Sequence, residues 1–229
     1  MSAICGAFFF GTVVYRYSLF KAECGPEEEP NRPLMSMGIL DGMAAVKRDG
    51  AERWVFCALC CVSWGLTAYV YGPAPELILY GMAGVLLWGL ALVDRKIFEL
   101  PPELNIGIAV LGAIHLIFDL KHWYVYLIGA LCVSLPLWLL ALLSGGRAMG
   151  GGDIKLMAAL GLLLGWQKTL LVLFIGALLG SLVHGARVLF TKGKHELAFG
   201  PYLAMGGIVA ALYGQNIIDW YVSTFITIN

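Results

Sequence analysis

Residues 145–155 read GGRAMGGGDIK and separate two long apolar runs. Five of the eight residues 145–152 are glycine, which loses more backbone freedom on ordering than any other residue and therefore breaks helices. The spacing predicts an irregular turn that leads into Asp153, where the next apolar run begins. An ionisable side chain at the edge of a hydrophobic bundle is a candidate functional residue.

The composition is that of a membrane protein. The chain is 60% hydrophobic and 13% charged, whereas a soluble domain is about half apolar and about a quarter charged. We therefore predict an all-α polytopic membrane protein whose outer surface contacts the lipid bilayer. The net charge is zero and no run of basic and aromatic residues is present, so no nucleic-acid partner is predicted.

Eight apolar stretches could form transmembrane helices or partial spans, since a full span needs roughly 20 apolar residues. They are residues 2–20, 53–72, 75–93, 104–118, 123–143, 153–165, 167–190 and 200–224. If the N-terminus is outside, the outer loops hold only Lys121 and Lys168 as basic residues, and all other loop Lys and Arg residues are cytoplasmic. Because cytoplasmic loops are rich in Lys and Arg, we expect this orientation.

Two regions follow from this division of the chain. Residues 1–52 are expected to contain a retained first helix and a short cytoplasmic loop, and residues 53–229 the membrane-embedded core. The Cys57-x-x-Cys60 spacing is half of a zinc site, but only Cys24 lies in a loop. A structural zinc site needs a second pair of ligands, so no metal is predicted.

A second acid, Asp94, ends the third predicted helix in the segment DRKIFELP, residues 94–101. Helix four leaves this face and helix five returns to it, so the topology places Asp94 and Asp153 at one membrane face. Two nearby carboxyls share a proton because both cannot easily ionise. One can then activate water while the other protonates a leaving amine. The helix dipole favours charge at the start of a helix, which makes Asp153 the expected base.

Each acid also has a plainer interpretation. Asp153 could be a helix N-cap, and Asp94 an interfacial charge beside Arg95 and Lys96, in a membrane scaffold without catalysis. A small ion-coupled transporter is a further alternative, because glycine-broken helices and acids also hold ions. Both acids lie near one face rather than at the midplane, which favours a substrate that enters from the cytosol.

Several segments together are similar to one family. The GGGD of residues 150–153 resembles the Gly-x-Gly-Asp signature of intramembrane aspartyl proteases. The longer runs resemble the prepilin peptidase branch; they are MGGGDIKLMAALG at 149–161, DRKIFELP at 94–101, FGPYLA at 199–204 and VVYR at 13–16. The resemblance to the type IV prepilin peptidase family extends over nearly the whole chain, in the same order.

The resemblance implies an aspartic endopeptidase with Asp94 and Asp153 as its catalytic pair. The active-site loop would consist of Gly150, Gly151, Gly152 and Lys155. The family removes the short basic leader of type IV prepilins and pseudopilins, usually between a glycine and a phenylalanine, at the cytoplasmic face of the bacterial inner membrane. The mature proteins build pili and protein-secretion systems. Glu99 and Glu103 are candidate contacts for the basic leader.

A second activity is left open by the same resemblance. Many bacterial members carry two Cys-x-x-Cys pairs in the first cytoplasmic loop and also methylate the new N-terminus with S-adenosylmethionine. Here residues 21–52 contain only Cys24, so the region is degenerate relative to the zinc and methyltransferase region of the family. Proteolysis itself is expected to need no cofactor, and S-adenosylmethionine is expected only if methyl transfer is retained.

Overall fold

The computed structural model of the chain describes residues 11–19, 50–145, 149–190 and 198–225. Every regular element in these ranges is helical. Residues 11–19 form α1. The other helices are α2 Gly50–Tyr71, α3 Pro75–Ile97, α4 Pro102–Phe118, α5 Trp123–Cys132, α6 Ser134–Leu143, α7 Gly151–Leu164, α8 Trp166–Phe190 and α9 Gly200–Phe225, with a 3₁₀ turn Leu120–His122 before α5.

The prediction of an all-α polytopic membrane protein is confirmed. Within the described ranges, four helical segments are long and apolar enough to cross a membrane: Glu52–Tyr71, Pro75–Ile97, Leu120–Leu143 and Trp166–Arg187. The α7 helix has only 14 residues, which corresponds to about 21 Å, less than the hydrocarbon thickness of about 30 Å. It is therefore a partial span, as its short predicted length indicated.

The α3 helix lies at the centre of the bundle. It packs against α2, α4 and α9, and its side chains Leu87 and Leu90 are almost completely buried. The ring of Trp64 from α2 lies so close to Gly81 that a Cβ there would approach it to 2.9 Å. Because α3 packs against three helices, its last turn, which carries Asp94, is held in a fixed place.

Glycines bring α4, α5 and α7 into backbone contact. A Cβ at Gly112 of α4 would lie 2.9 Å from the backbone nitrogen of Leu163 in α7. On the other side of α7, Gly161 packs directly against the carbonyl group of Gly129 in α5. Small residues are the usual means of close helix approach in membranes. They fix α7 between its two neighbours.

Polar side chains connect the same helices at the opposite end from the glycine loop. Nδ1 of His115 lies 2.8 Å from the carbonyl oxygen of Leu163, and the His115 ring stands edge-on to Tyr126. The Tyr126 hydroxyl donates to Asp119 at 2.9 Å, and His122 Nδ1 lies 2.8 Å from the same carboxylate. The hydrogen bond from His122 is the main reason that the pKa of Asp119 is lower than usual.

Two predicted helix limits are wrong. The α3 helix continues past residue 93 to Ile97, so Asp94 lies inside its last turn. The predicted helix 123–143 is interrupted at Val133, because Pro136 has no N–H and its ring clashes with the carbonyl group of Cys132, four residues earlier. The predicted cytoplasmic loop, residues 21–52, and the N-terminal end of the first helix lie almost entirely outside the described residues.

Candidate active site

Asp94 is placed by the end of α3. The helix ends where Phe98 takes a left-handed conformation, with φ 56°, and donates its N–H to the backbone carbonyl of Asp94 at 2.9 Å. Pro101 follows, and the residue before a proline is disfavoured in a helix. The α4 helix begins at Pro102 directly afterwards. The short link between the two helices keeps the start of α4 beside Asp94.

Asp153 is the third residue of α7. The N-cap of α7 is Gly150, and no side chain forms a capping hydrogen bond, so the interpretation of Asp153 as an N-cap is wrong. Its backbone N–H donates to Gly150 at 3.2 Å. Its Oδ1 is buried and receives no hydrogen bond from any residue that the structure describes. Such an acceptor costs about 1–3 kcal/mol of stability, which argues for a functional role.

The two acids are buried together. Asp94 is 5% and Asp153 8% exposed, and they are close enough for electrostatic interaction. Within the described ranges, neither acid takes part in an ion pair with a basic side chain. Two buried carboxylates without a cation cannot both remain ionised at low cost, and this favours one proton shared between them. Such a pair is suited to supply an acid and a base side by side.

The start of α9 reaches across to Asp94. The backbone N–H of Gly200 donates to Oδ2 of Asp94 at 2.8 Å. A Cβ at position 200 would lie 2.8 Å from the same oxygen, so only glycine allows this approach. The sequence indicated the FGPYLA segment only as a family landmark. A glycine followed by Pro201 is a typical helix start, but nothing local shows that it meets a distant acid.

The glycine loop has one tightly packed position. Gly152 lies under Leu100, and a Cβ on Gly152 would be 2.7 Å from the Cβ of Leu100. A Cβ at Gly150 would lie 3.3 Å from Oδ2 of Asp153, whereas Gly151 faces open space. The predicted irregular turn is partly wrong, because Gly151 and Gly152 are helical. Residues 146–148 lie outside the described residues.

A residue that the sequence did not single out, Asn105, contacts the same loop. It is 4% exposed, and its Nδ2 donates to the backbone oxygen of Gly152 at 3.3 Å. Its Oδ1 is buried and receives no hydrogen bond from the described part of the chain. The only sequence signal was an amide within the first turn of a mostly apolar helix.

Three other predicted site residues, Glu99, Glu103 and Lys155, have exposed side chains. Glu103 lies beside the hydroxyl of Tyr17, and Lys155 lies on α7. Their exposure makes these three side chains accessible to a substrate.

The described residues offer neither a metal site nor an apparent groove for the methyl donor. No group of three or more His, Cys, Asp or Glu side chains among them could hold a metal ion. S-adenosylmethionine needs hydrogen-bond partners for its adenine and its amino-acid group. The groove between α3 and α4 has a purely apolar lining, which includes Pro75, Ile78, Met82, Ile114 and Phe118. This groove does not fit the cofactor.

Comparisons with known proteins agree with the geometry. The sequence model of the type IV leader peptidase family matches residues 81–185, a range that contains both acids. A prepilin leader peptidase/N-methyltransferase of Aeromonas salmonicida is 38% identical over 151 residues, which are 61% of this chain and 50% of that protein. No solved structure matches.

Two further relatives have the same printed name. The one from Aeromonas hydrophila is 33% identical over 80% of this chain and 58% of its own length. The one from Bacillus subtilis is 33% identical over 71% of this chain and 74% of its own length. The chain thus spans about half the length of the Aeromonas relatives and about three quarters of the Bacillus protein.

Proposed function

The chain belongs to the type IV leader peptidase family, and from this premise we propose that it is a membrane aspartyl endopeptidase. It would remove the short basic leader of type IV prepilins or pseudopilins. The burial of Asp94 and Asp153 in one place, on two helices far apart in sequence, carries the proposal. Residues 53–229 would form the peptidase core, and the active-site loop would comprise Gly150, Gly151, Gly152 and Lys155.

In the proposed reaction, the ionised carboxyl takes a proton from a water molecule while the water oxygen attacks the carbonyl carbon of the scissile peptide bond. The protonated carboxyl first donates a hydrogen bond to the carbonyl oxygen. It then gives its proton to the peptide nitrogen as the carbon–nitrogen bond breaks. The products are a new carboxyl group and a new amine, and the pair again holds one proton.

The surroundings of the two acids favour Asp94 as the base. The N–H of Gly200 donates to Asp94 at 2.8 Å, and the start of α9 carries a partial positive charge; both stabilise a carboxylate. Oδ1 of Asp153 receives no hydrogen bond from a described residue, which suits a protonated partner. This is the reverse of the assignment that the helix ends alone predict.

The basic leader would lie at the end of the bundle where α3 ends. Glu99 is exposed there and is the first candidate to contact a leader cation, with Glu103 as the second. Of the basic residues at this end, Lys96 is engaged with Glu52 at 2.9 Å. We assign this end to the cytoplasmic face of a bacterial inner membrane, because cytoplasmic loops are rich in Lys and Arg.

The transporter alternative is not supported. The family that matches is a peptidase family, and the acids lie at helix ends that meet near one face. An ion site in a transporter is expected at the midplane between structural repeats, and the sequence contains no visible repeat.

The proposal is tested by incubating the purified full chain in detergent with a model prepilin and measuring product masses. We expect one cut after the leader glycine, no cut when that glycine is replaced, and no cut with Asp153→Asn. Asp219→Asn is the matched control, because Asp219 is exposed on α9 and bonds to Gln215. A wild-type protein that leaves the prepilin intact, or a fully active Asp153→Asn variant, would contradict the proposal.

The product masses also test for methyl transfer to the new N-terminus. The relatives are named as N-methyltransferases, and S-adenosylmethionine added to the reaction would then increase the mass of the mature product by one methyl group. An unchanged mass would mean that this chain performs only the cleavage.

A further inference from the structure

Two buried oxygens without donors lie near one peptide group. Asn105 approaches from α4, and its Nδ2 donates to the carbonyl oxygen of Gly152 at 3.3 Å. Asp153 is the next residue of α7. Oδ1 of Asn105 and Oδ1 of Asp153 are both buried, and neither receives a hydrogen bond from the described residues.

The amide orientation limits what Asn105 can do. Its Nδ2 is engaged with Gly152, so its Oδ1 can only accept a hydrogen bond. An ionised Asp153 also only accepts, and two acceptors cannot satisfy each other. A protonated Asp153 is an O–H donor, and one such proton would satisfy both oxygens.

We propose that Asn105 is a positioning residue of the acid pair. Its Nδ2 holds the Gly152 peptide, and before substrate binds its Oδ1 accepts a hydrogen bond from the protonated carboxyl of Asp153. The inference rests on the proposed function, in which Asp153 is the protonated partner. Asn105 thereby keeps the proton on the acid that donates it to the leaving nitrogen, and it fixes the direction in which this carboxyl points.

The other ionisable groups near Asp153 do not provide this interaction. Asp94 is the one charged group of the described part that acts on Asp153 electrostatically. The titratable side chains on the elements packed against α7 toward this end are Glu103 of α4, Cys132 of α5, His184 and Arg187 of α8, and Tyr202 of α9, and Lys155 lies on α7 itself. The α6 helix has none. Besides Asp94, the other acid of the pair, the amide oxygen of Asn105 is the neutral acceptor that the described residues offer to Asp153.

The kinetic test uses two nearly isosteric variants. Asn105→Leu removes the acceptor, so the alkaline limb of the pH profile of kcat/KM should move to lower pH by about one unit. Asn105→Asp places a third carboxyl beside the pair and should move this limb to higher pH. Ile108→Val, a buried substitution one turn further along α4, should leave the profile unchanged. If the alkaline limb of the kcat/KM profile stays at the wild-type pH in both Asn105 variants, the proposal is overturned.

A spectroscopic test does not depend on cleavage. The carbonyl stretch of a protonated Asp153 is identified in infrared difference spectra by its loss in Asp153→Asn. In Asn105→Leu this band should move to higher frequency, because the acid has lost its hydrogen-bond acceptor. A band at the wild-type frequency, or no band from Asp153, would overturn the inference even if the wild-type protein cleaves prepilin. If cleavage fails but the band moves, the inference stands and the proposed function does not.

Discussion

The backbone N–H of Gly200 donates a hydrogen bond to Oδ2 of Asp94 at 2.8 Å, although the two residues are 106 positions apart. The contact places the start of α9 against the last turn of α3. Since a helix start carries a partial positive charge, the same contact holds a carboxylate in position and stabilises its ionised form.

Gly200→Ala should therefore inactivate the protein without unfolding it. The new Cβ would lie 2.8 Å from Oδ2 and 3.1 Å from Cβ of Asp94, so the carboxyl must move. A displacement of about 1 Å in a catalytic group lowers kcat about a hundredfold. The measurement is kcat on a model prepilin. Gly185→Ala in α8, where a Cβ meets nothing within 4 Å, is the control; equal activity of the two variants would show that Gly200 has no such role.

Gly152→Ala should lower kcat, and a second substitution at Leu100 should partly restore it. The added Cβ would come within 2.7 Å of the Cβ of Leu100, which pushes the start of α7 and Asp153 away from the link between α3 and α4. Leu100→Gly/Gly152→Ala removes the Leu100 Cβ that the new methyl group would meet, so we expect partial recovery.

The control for this pair is Gly65→Ala in α2, because a Cβ at Gly65 has no neighbour within 4 Å. We expect this variant to keep wild-type kcat. If Gly152→Ala is as active as Gly65→Ala, then the contact between Leu100 and Gly152 does not position Asp153.

Asp119 should make the stability of the folded chain depend on pH. Hydrogen bonds from His122 and then Tyr126 lower its pKa in the folded state, so its contribution is complete above the unfolded-state value of about 3.9 and is lost as the pH falls through the lower folded-state pKa. Asp119→Asn should unfold at a lower temperature than wild type near neutral pH. The two midpoints should converge in acid below the folded-state pKa. A constant difference at every pH would contradict this assignment.

Glu99→Gln should weaken binding of the basic leader rather than the chemistry. Glu99 is exposed, and an exposed ion pair contributes about 0.2–1 kcal/mol, which corresponds to a KM increase of up to about fivefold with kcat unchanged. The increase should diminish at high salt because salt screens exposed charges. A leader whose basic residues are replaced should show no difference between the variant and wild type; a fall in kcat instead would place Glu99 in the chemistry.

The sequence predicted most of the helices and singled out the two acids that the structure buries, but it did not predict every helix end or the long-range contacts. Hydropathy located nearly every helix because each helix presents apolar residues, either to the bundle or to the lipid, over most of its length. It could not place the end of α3, since Ile97 is held in the helix by the turn at Phe98. The contacts of Asn105 and Gly200 join residues distant in sequence, which local patterns do not encode.

Full cleavage kinetics of Asp94→Asn, Asp153→Asn and the double variant test the central claim most directly. If the two acids act as one proton-sharing pair, each single substitution should reduce kcat/KM by about 10⁴-fold or more, and the double variant should lose little beyond either single one, as residues that act as a unit are non-additive. A single variant that keeps a tenth of wild-type activity, or losses that multiply in the double variant, would contradict the account.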